Sequence, residues 1–251
     1  MVSALCVAGF QQPIQLAPGL ARRAIARVLQ RSGRVHIPSI LAPECAQRIA
    51  QALTHETPWQ LHLNDGDKPV NLRADGFDAL AGHERELFLR SVHENAAEKF
   101  QYLFNSYPIS DAYERDGVRE PYLMRVYEFL NSEAFLGFAR EVSGATQIRY
   151  VDAQATLYRP GHFLTRHDDL MNGKHRLYAY VLNFTPHWKV DWGGILQFID
   201  RDGHVAEGYA PVFNALNLFR VPQEHAVSFV TPFAGAGRYS ITGWLRTQRG
   251  D

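Results

Sequence analysis

The chain has 251 residues, of which 46% are hydrophobic and 21% charged, and these values exclude a disordered or fibrous protein. Its 26 basic and 26 acidic residues cancel, so no overall field favours direct nucleic-acid binding or an anionic membrane. Two cysteines, Cys6 and Cys45, stand far apart and without metal-binding spacing, which favours reduced thiols. No basic residue precedes the apolar run at the N-terminus, and no apolar stretch reaches the ~18 residues of a membrane span. We therefore expect a cytoplasmic protein with no secretion signal and no membrane partner.

The first half of the chain is mainly helical in pattern, because apolar residues recur at helical spacing between polar ones. Pro43 suits the start of a helix, and Gly33 and Gly144 suit helix ends. The arginine-rich face of the first helix could touch RNA, but an outer helix packed on a core is the favoured interpretation. In chain order we predict a helix in "PGLARRAIARVLQRSGR", a strand in "VHIPSI", a helix in "APECAQRIAQALTH", a strand in "WQLHLN", and helices in "GHERELFLRSVHENAAEKFQYLF" and "NSEAFLGFAREVSG".

After Gly144 the pattern changes to short segments rich in Val, Ile, Thr and aromatic residues, punctuated by Gly, Pro, Asn and Asp. Such a series predicts an antiparallel β-sandwich or small barrel. We expect one domain over residues 1–251, mainly β with a helical N-terminal layer. Residues 1–144 form the helical support and residues 145–248 the jelly-roll core. The strand-like segments are "TQIRYVDAQATLYRPG", "HRLYAYVLNF", "GGILQFID", "NALNLFRV", "HAVSFVTPF" and "RYSITGWLRT".

The stretch "LTRHDDL" places a histidine beside two carboxylates. On an extended strand, residues two apart share a face, so His167 and Asp169 point together and Asp168 points away. Two histidines and one carboxylate form the facial triad of non-haem Fe(II) oxygenases, which leaves coordination positions open. A histidine and an aspartate two residues apart are a weak signal alone, so a third ligand is needed from another strand.

The histidines downstream of this pair are His175, His187, His204 and His225. His175 follows the pair too closely, while His187 and His204 lie in loop and turn sequences that suit exposed residues. His225 opens the apolar segment "HAVSFVTPF", where a strand can deliver its first side chain to a cavity. We predict His225 as the third ligand.

The segment "RYSITGW" carries an arginine in a strand that otherwise reads as core. Burying an unpaired charge is prohibitive, so Arg238 requires an anionic partner. A guanidinium binds a carboxylate through two hydrogen bonds, and the hydroxyl of Ser240, two residues on, can add a third. With the histidines and aspartate, Arg238 is predicted to receive the distal carboxylate of a small diacid.

The series "YRPGHFLTRHDD", "WGGILQFI", "APVFNALNLFRVPQEHAVSFV" and "RYSITGW" resembles the 2-oxoglutarate and Fe(II)-dependent oxygenases of the prolyl-hydroxylase branch, most of all the ribosomal prolyl hydroxylases. The likeness is dense over residues 145–247 and faint over residues 34–65. It implies a double-stranded β-helix. It also implies Fe(II) bound by His167, Asp169 and His225, 2-oxoglutarate held by Arg238 and assisted by Ser240, and O₂ as the oxidant, with ascorbate as a supporting reductant. Tyr158 matches a tyrosine lining the cosubstrate pocket.

A further tyrosine is common in the family on the strand after the histidine–aspartate pair. Here it corresponds to Tyr180 or Asn183, depending on the spacing. Eukaryotic members of the ribosomal branch carry a second, degenerate β-helix domain, which we expect this chain to lack. The residues that contact substrate are unknown, although the polar segments 64–73 and 107–120 are candidates for the entrance.

The resemblance implies hydroxylation of a prolyl residue in a protein substrate of the ribosomal or translation-factor type. The same chemistry on free proline or another small amino acid is an alternative. A third hypothesis, which we place below both, is a non-catalytic jelly-roll binding module.

Overall fold

Helices line one side of an antiparallel sheet that rolls up around the predicted site. The computed structural model describes residues 13–66, 68–116 and 122–249, so Cys6 and the N-terminal apolar run lie outside the described residues. No helix within those ranges combines the length and apolar character needed to cross a membrane. The helices in this part of the chain are α1 (Arg22–Ser32), α2 (Pro43–His55), α3 (Ala74–Asp78), α4 (Gly82–Glu98), α5 (Ile109–Asp116), α6 (Leu123–Leu130) and α7 (Glu133–Ser143).

The strands of the described ranges all belong to one sheet, whose main path runs β1-β11-β8-β13-β6-β4-β7-β12-β9-β10. The remaining strands attach at its sides, with β2 joined to β4 and β3, and β5 joined to β13. The strands are β1 (Arg34–Ile37), β2 (Gln60–Asp65), β3 (Lys68–Arg73), β4 (Tyr102–Tyr107), β5 (Tyr150–Val151), β6 (Gln154–Tyr158), β7 (Phe163–His167), β8 (Arg176–Asn183), β9 (Leu196–Ile199), β10 (Val205–Tyr209), β11 (Ala215–Arg220), β12 (His225–Val227) and β13 (Arg238–Arg246).

The two ends of this path, β1 and β10, meet through side chains. Arg34 Nε lies 2.5 Å from an oxygen of Glu207, and the ring centroids of His36 and Tyr209 are 5.5 Å apart. The sheet is therefore nearly closed on itself, as a jelly roll is. This confirms the expected fold class of a double-stranded β-helix with a helical layer.

Strand alternation separates the helix-facing core from the interior of the roll. On β8, Tyr178, Tyr180 and Leu182 join the large apolar cluster formed with helices α1, α2, α6 and α7. Ala179 and Val181 face the other way, into the interior cluster. The helices thus cover the outer face of the sheet, and a second, smaller apolar cluster lies on its inner face.

The helix predicted through residues 82–104 is only partly correct. It ends at Glu98, and Tyr102–Tyr107 forms β4, a central strand between β6 and β7. Local helical spacing continues into this segment, but three neighbouring strands offer backbone partners that bury nearly all of it. Tertiary pairing therefore overrides the local pattern.

The polar segment 64–73, one of the two entrance candidates, contains the end of β2 and the whole of β3. β2 and β3 pair from Gln60 and Arg73 at the base to Asp65 and Lys68 at the tip. The second entrance candidate, residues 107–120, contains α5, whose Ile109 and Ala112 are buried in the helix-side core. Residues 117–120 lie outside the described part of the chain.

We expect Gly243→Ala to destabilise the fold by about 2 kcal/mol or more, because a Cβ at this position on β13 would lie 2.1 Å from the backbone oxygen of Asp152. Gly82→Ala is the matched control, since a Cβ there has nothing within 4 Å. Urea unfolding curves of the two variants measure the difference. Equal midpoints for both variants would contradict the packing described for β13.

Candidate active site

Two histidines face each other across neighbouring antiparallel strands. The last residue of β7, His167, pairs in register with the first residue of β12, His225. Their ring centroids are 4.1 Å apart, and His225 is 5% exposed. The other histidines considered from sequence, His175, His187 and His204, are all exposed and lie outside this cluster.

Asp169 completes the cluster, although not for the reason that strand alternation gave. β7 ends at His167, so His167 and Asp169 do not lie on one continuous strand. Asp169 instead has a left-handed backbone conformation, with φ of 64°. The Asp168 carboxylate accepts a hydrogen bond from the Leu170 amide (2.9 Å) and stabilises this turn. Asp169 oxygens lie 3.6 Å from Nε2 of His167 and 3.5 Å from Nε2 of His225.

Backbone carbonyls set the orientation of both imidazole rings. Nδ1 of His167 lies 3.0 Å from the oxygen of Thr165, and Nδ1 of His225 lies 2.7 Å from the oxygen of Gln223. With Nδ1 donating, Nε2 of each ring keeps its lone pair and points toward Asp169. Burial, together with the neighbouring His167, lowers the pKa of His225 to about 4, so this ring is neutral at pH 7.

One ligand atom from each of His167, Asp169 and His225 lies within 4.8 Å of the other two. Two imidazole nitrogens and one carboxylate, all facing one position, match the donor set of a non-haem iron triad. The three side chains can therefore hold a divalent metal ion.

Arg238 lies inside the roll with an unsatisfied guanidinium. The residue is 1% exposed, its Nε has no hydrogen-bond partner, and Nη1 donates to Oγ of Ser240 at 3.4 Å. In the described ranges no carboxylate lies within salt-bridge distance of it, and burial lowers its pKa. An arginine in this state fits an anionic ligand, because a bound carboxylate would supply the missing acceptors.

Tyr158 and Ser240 lie where the sequence placed them, beside Arg238. Tyr158 pairs with Arg238 across β6 and β13, and its ring centroid is 5.0 Å from the guanidinium carbon. Burial raises the pKa of the Tyr158 phenol, so it stays protonated. The Ser240 hydroxyl also hydrogen-bonds Oγ1 of Thr156 at 2.7 Å, and sequence reasoning missed this threonine.

The open choice between Tyr180 and Asn183 is decided by the face of β8. Tyr180 points toward the helices, where its hydroxyl donates to the backbone oxygen of Asp152 at 2.9 Å. Asn183 is fully buried, pairs with Ser240 across β8 and β13, and leaves Oδ1 without a partner. Asn183, not Tyr180, therefore lies beside Ser240, the residue that hydrogen-bonds Arg238.

The second glycine of "WGGILQFI", Gly194, packs closely against the Arg238 side chain. Gly194 has φ of 61°, and a Cβ there would lie 3.2 Å from Cδ of Arg238 and 3.0 Å from the Trp188 ring. A side chain at this position would push against the arginine. The motif thus gives the Arg238 side chain room to reach the interior.

Residues 153–246 match the sequence model of the 2OG-Fe(II) oxygenase superfamily. This segment is therefore similar to the 2OG-Fe(II) oxygenases. The family name states two groups, Fe(II) and 2-oxoglutarate, and the histidine–aspartate cluster could hold a metal ion such as iron. The expected resemblance is confirmed.

Two curated relatives resemble this chain in sequence, and a solved structure resembles it in fold. Prolyl 3-hydroxylase OGFOD1 of Mus musculus is 29% identical over 67% of this chain and 30% of its own length. Prolyl 3,4-dihydroxylase OGFOD1 of Ostreococcus tauri is 30% identical over 51% of this chain and 27% of its own length. The chain thus spans less than a third of these relatives. A 2OG-Fe(II) oxygenase family oxidoreductase from Burkholderia pseudomallei shares the fold, with a TM-score of 0.61 at 15% identity over 94% of this chain and 95% of that chain.

Within the matched segment, Arg176 holds the turn that carries Asp169. Its Nη1 donates to the backbone oxygen of Asp169 at 3.1 Å, and its guanidinium carbon lies 3.4 Å from the ring centroid of Trp244. Arg246 holds the far end of the same turn by donating from Nε to the oxygen of Lys174 at 2.7 Å. Two arginines thus fix the ends of the turn, and Arg176 is a positioning residue for Asp169.

We expect Arg176→Ala to weaken Mn(II) binding to the cluster by about tenfold or more, because residues that orient a metal ligand typically contribute this much to affinity. Isothermal titration with Mn(II) under anaerobic conditions measures the change. Arg201→Ala, an exposed arginine in the β9–β10 turn, is the control and should bind Mn(II) like the unmodified chain. Unchanged affinity in Arg176→Ala would show that the turn holds its shape without this contact.

Proposed function

We propose that this chain is an Fe(II)- and 2-oxoglutarate-dependent dioxygenase that hydroxylates a prolyl residue of a protein. The observation that carries the proposal is the combination of two features inside one jelly roll. One is the His167–Asp169–His225 cluster, and the other is a buried arginine that lacks a carboxylate partner in the described ranges. Either feature alone has several explanations, whereas together they match the needs of iron and a dicarboxylate cosubstrate.

In this proposal His167, Asp169 and His225 hold the iron, and Arg238 with Ser240 holds the distal carboxylate of 2-oxoglutarate. When bound, the two groups supply oxidative chemistry in which O₂ converts 2-oxoglutarate to succinate and CO₂ and one oxygen atom enters a substrate C–H bond. The protein supplies position and a dry environment. Thr165 and Gln223 fix the imidazole tautomers through their backbone oxygens.

Apolar side chains exclude water from the interior face of the site. Phe219 packs against the His225 ring with centroids 4.7 Å apart, and it joins Phe198, Leu196 and Val181 in a buried cluster. On the other side Phe104 stacks on Tyr158 at 5.1 Å. These contacts give the site apolar walls beside His225 and Tyr158, which help to exclude water from it.

The outer rim of the site is exposed and apolar, and it fits a prolyl residue presented by a larger chain. Phe100 is 45% exposed with its ring centroid 5.3 Å from that of His167, while Leu170 and Met171, just after Asp169, are 63% and 52% exposed. A pyrrolidine ring can pack on such side chains without losing hydrogen bonds. The names of the two curated relatives, both prolyl hydroxylases, support a prolyl substrate.

The β2–β3 hairpin is our preferred entrance element. His62 on β2 contacts Tyr102 and Phe104 with ring centroids 4.8 and 5.3 Å away, and Tyr102 in turn contacts Phe100 at 5.6 Å. These ring contacts connect the hairpin to the exposed rim of the site. The motif likeness to the ribosomal branch supports a ribosomal or translation-factor substrate, and a cytoplasmic enzyme is proposed with it.

The test is incubation of the chain with Fe(II), 2-oxoglutarate and candidate ribosomal or translation-factor proteins, followed by intact-protein mass spectrometry. We expect a mass gain of one oxygen atom, mapped by fragmentation to a proline, and an equal amount of succinate. Succinate release stimulated only by free proline or a related amino acid would favour the small-molecule alternative. Failure to bind Mn(II) or to consume 2-oxoglutarate with any substrate would favour a non-catalytic module.

We expect His225→Ala to lower Mn(II) affinity by more than about 100-fold, because it removes a ligand and not merely a partner that orients one. Arg238→Ala should leave Mn(II) binding intact and raise the KM for 2-oxoglutarate by about tenfold or more, the loss expected when a charge-assisted hydrogen bond is removed. Arg238→Lys keeps the charge and should recover part of the affinity.

Titration calorimetry with Mn(II) and succinate assays over a range of 2-oxoglutarate concentrations separate the two effects. His204→Ala is the matched control, since this exposed histidine lies outside the cluster. An Arg238→Ala variant with unchanged KM would remove Arg238 from the cosubstrate site.

A further inference from the structure

A second cavity lies outside the jelly roll, beneath helices α3 and α4. It has a volume of about 370 Å³ and is bounded by β2, β4, the turn of residues 159–162 and Phe229. β4 separates it from the roll, because Phe104 faces Tyr158 inside while Leu103 packs outside with Leu61 and Val92. None of the residues assigned to iron or 2-oxoglutarate lines this cavity, so it is distinct from the oxygenase site.

Asn105 presents a buried, unpartnered amide oxygen in this cavity. The residue is 2% exposed, and its Oδ1 has no hydrogen-bond partner and almost no exposed surface. It follows Phe104 on β4, so alternation turns its side chain to the cavity side. Buried polar atoms are nearly always hydrogen-bonded, which makes this oxygen a signal for a missing donor.

Arg85 on α4 supplies an unpartnered donor to the same cavity. Its Nη2 donates to the backbone oxygen of Asp78 at 2.5 Å, and its guanidinium carbon lies 5.5 Å from the Phe77 ring centroid. Its Nε is buried and has no acceptor. Two residues that line the same cavity, Asn105 and Arg85, thus each carry a buried polar atom without a partner, one an acceptor and the other a donor.

The charges of the lining favour an anion. Arg85 and Arg159 are positive, and only Asp78 opposes them, at 3.1 Å from Nη1 of Arg159. His162 is 6% exposed, and burial lowers its pKa to about 4, so it adds no charge at pH 7. His93, the other histidine in the lining, forms ring contacts with Phe163 and Phe229.

The remaining wall is apolar, formed by leucine and phenylalanine side chains that include Phe77 and Leu89. A site with apolar walls and a few convergent polar groups is typical of small-molecule binding. Water alone could fill the space, at about 30 Å³ for each molecule. Water, however, would place a polar network against this apolar wall and leave the excess positive charge unpaired.

We propose that this cavity binds a small organic carboxylate with an aromatic or branched apolar body. The carboxylate lies against Arg85 and Arg159, the apolar body packs on Phe77 and Leu89, and a donor group of the ligand or a retained water satisfies Oδ1 of Asn105. The proposal is independent of the oxygenase activity, because it concerns residues that take no part in the iron or 2-oxoglutarate site.

The test uses phenylacetate as the probe and phenylacetamide as its neutral counterpart, with binding measured by saturation-transfer NMR. The chain is first saturated with Mn(II) and N-oxalylglycine, an unreactive analogue of 2-oxoglutarate, so that Arg238 is occupied. We expect phenylacetate to bind and phenylacetamide to bind more weakly. Affinity for phenylacetate should fall by about tenfold in Arg85→Ala, as expected for a lost charge-assisted hydrogen bond.

Arg90→Ala is the matched control, because this exposed arginine lies on the same helix but does not line the cavity. Asn105→Leu, which removes the unpartnered oxygen and fills space, should also lower affinity, and its thermal unfolding shows whether it folds. Arg85 is more exposed, so its variant tests the proposal even if Asn105→Leu does not fold. Equal phenylacetate binding by Arg85→Ala and Arg90→Ala would overturn the proposal. Absence of phenylacetate binding at millimolar concentration would also overturn it and would mean that the cavity is filled by water only.

Discussion

β12 pairs with β7 so that His225 lies directly across from His167, and the remainder of the site depends on this register. In an antiparallel sheet, a shift by one residue would turn one of the two rings to the opposite face of its strand. The same pairing buries His225 against Phe219 and leaves Asp169 to approach from the turn after β7. Because both rings also donate to backbone carbonyls, the register fixes their tautomers together with their positions.

The interior of the roll holds buried polar atoms that have no hydrogen-bond partner. Arg238 Nε and Asn183 Oδ1 are buried without partners, and they lie on adjacent strands that pair through Ser240 and Asn183. Each such group lowers the stability of the fold on its own. A ligand that supplied partners to both groups would recover this stability, because binding to the folded state stabilises it.

Helices and strands were predicted correctly from the sequence where the local hydrophobic pattern agrees with the tertiary pairing. The α2 segment beginning at Pro43 and the α7 segment ending before Gly144 formed as expected. β4 was missed because its local spacing continues that of α4, and only the presence of β2, β6 and β7 on its edges makes it a strand. The short helices α5 and α6 were also missed, since their burial depends on the sheet beneath them.

The sequence by itself determined the chemistry, because residue types and their order specify it: two histidines, an aspartate and a core arginine, in a motif series shared with the 2OG-Fe(II) oxygenases. Only the tertiary structure decided how these residues meet. Asp169 reaches the cluster through a left-handed turn held by Arg176, whereas the sequence had suggested simple alternation. The structure also decided that Asn183, and not Tyr180, faces the arginine pocket. The physical reason is that a side chain's face depends on where a strand ends and what pairs with it, and long-range backbone hydrogen bonds set both.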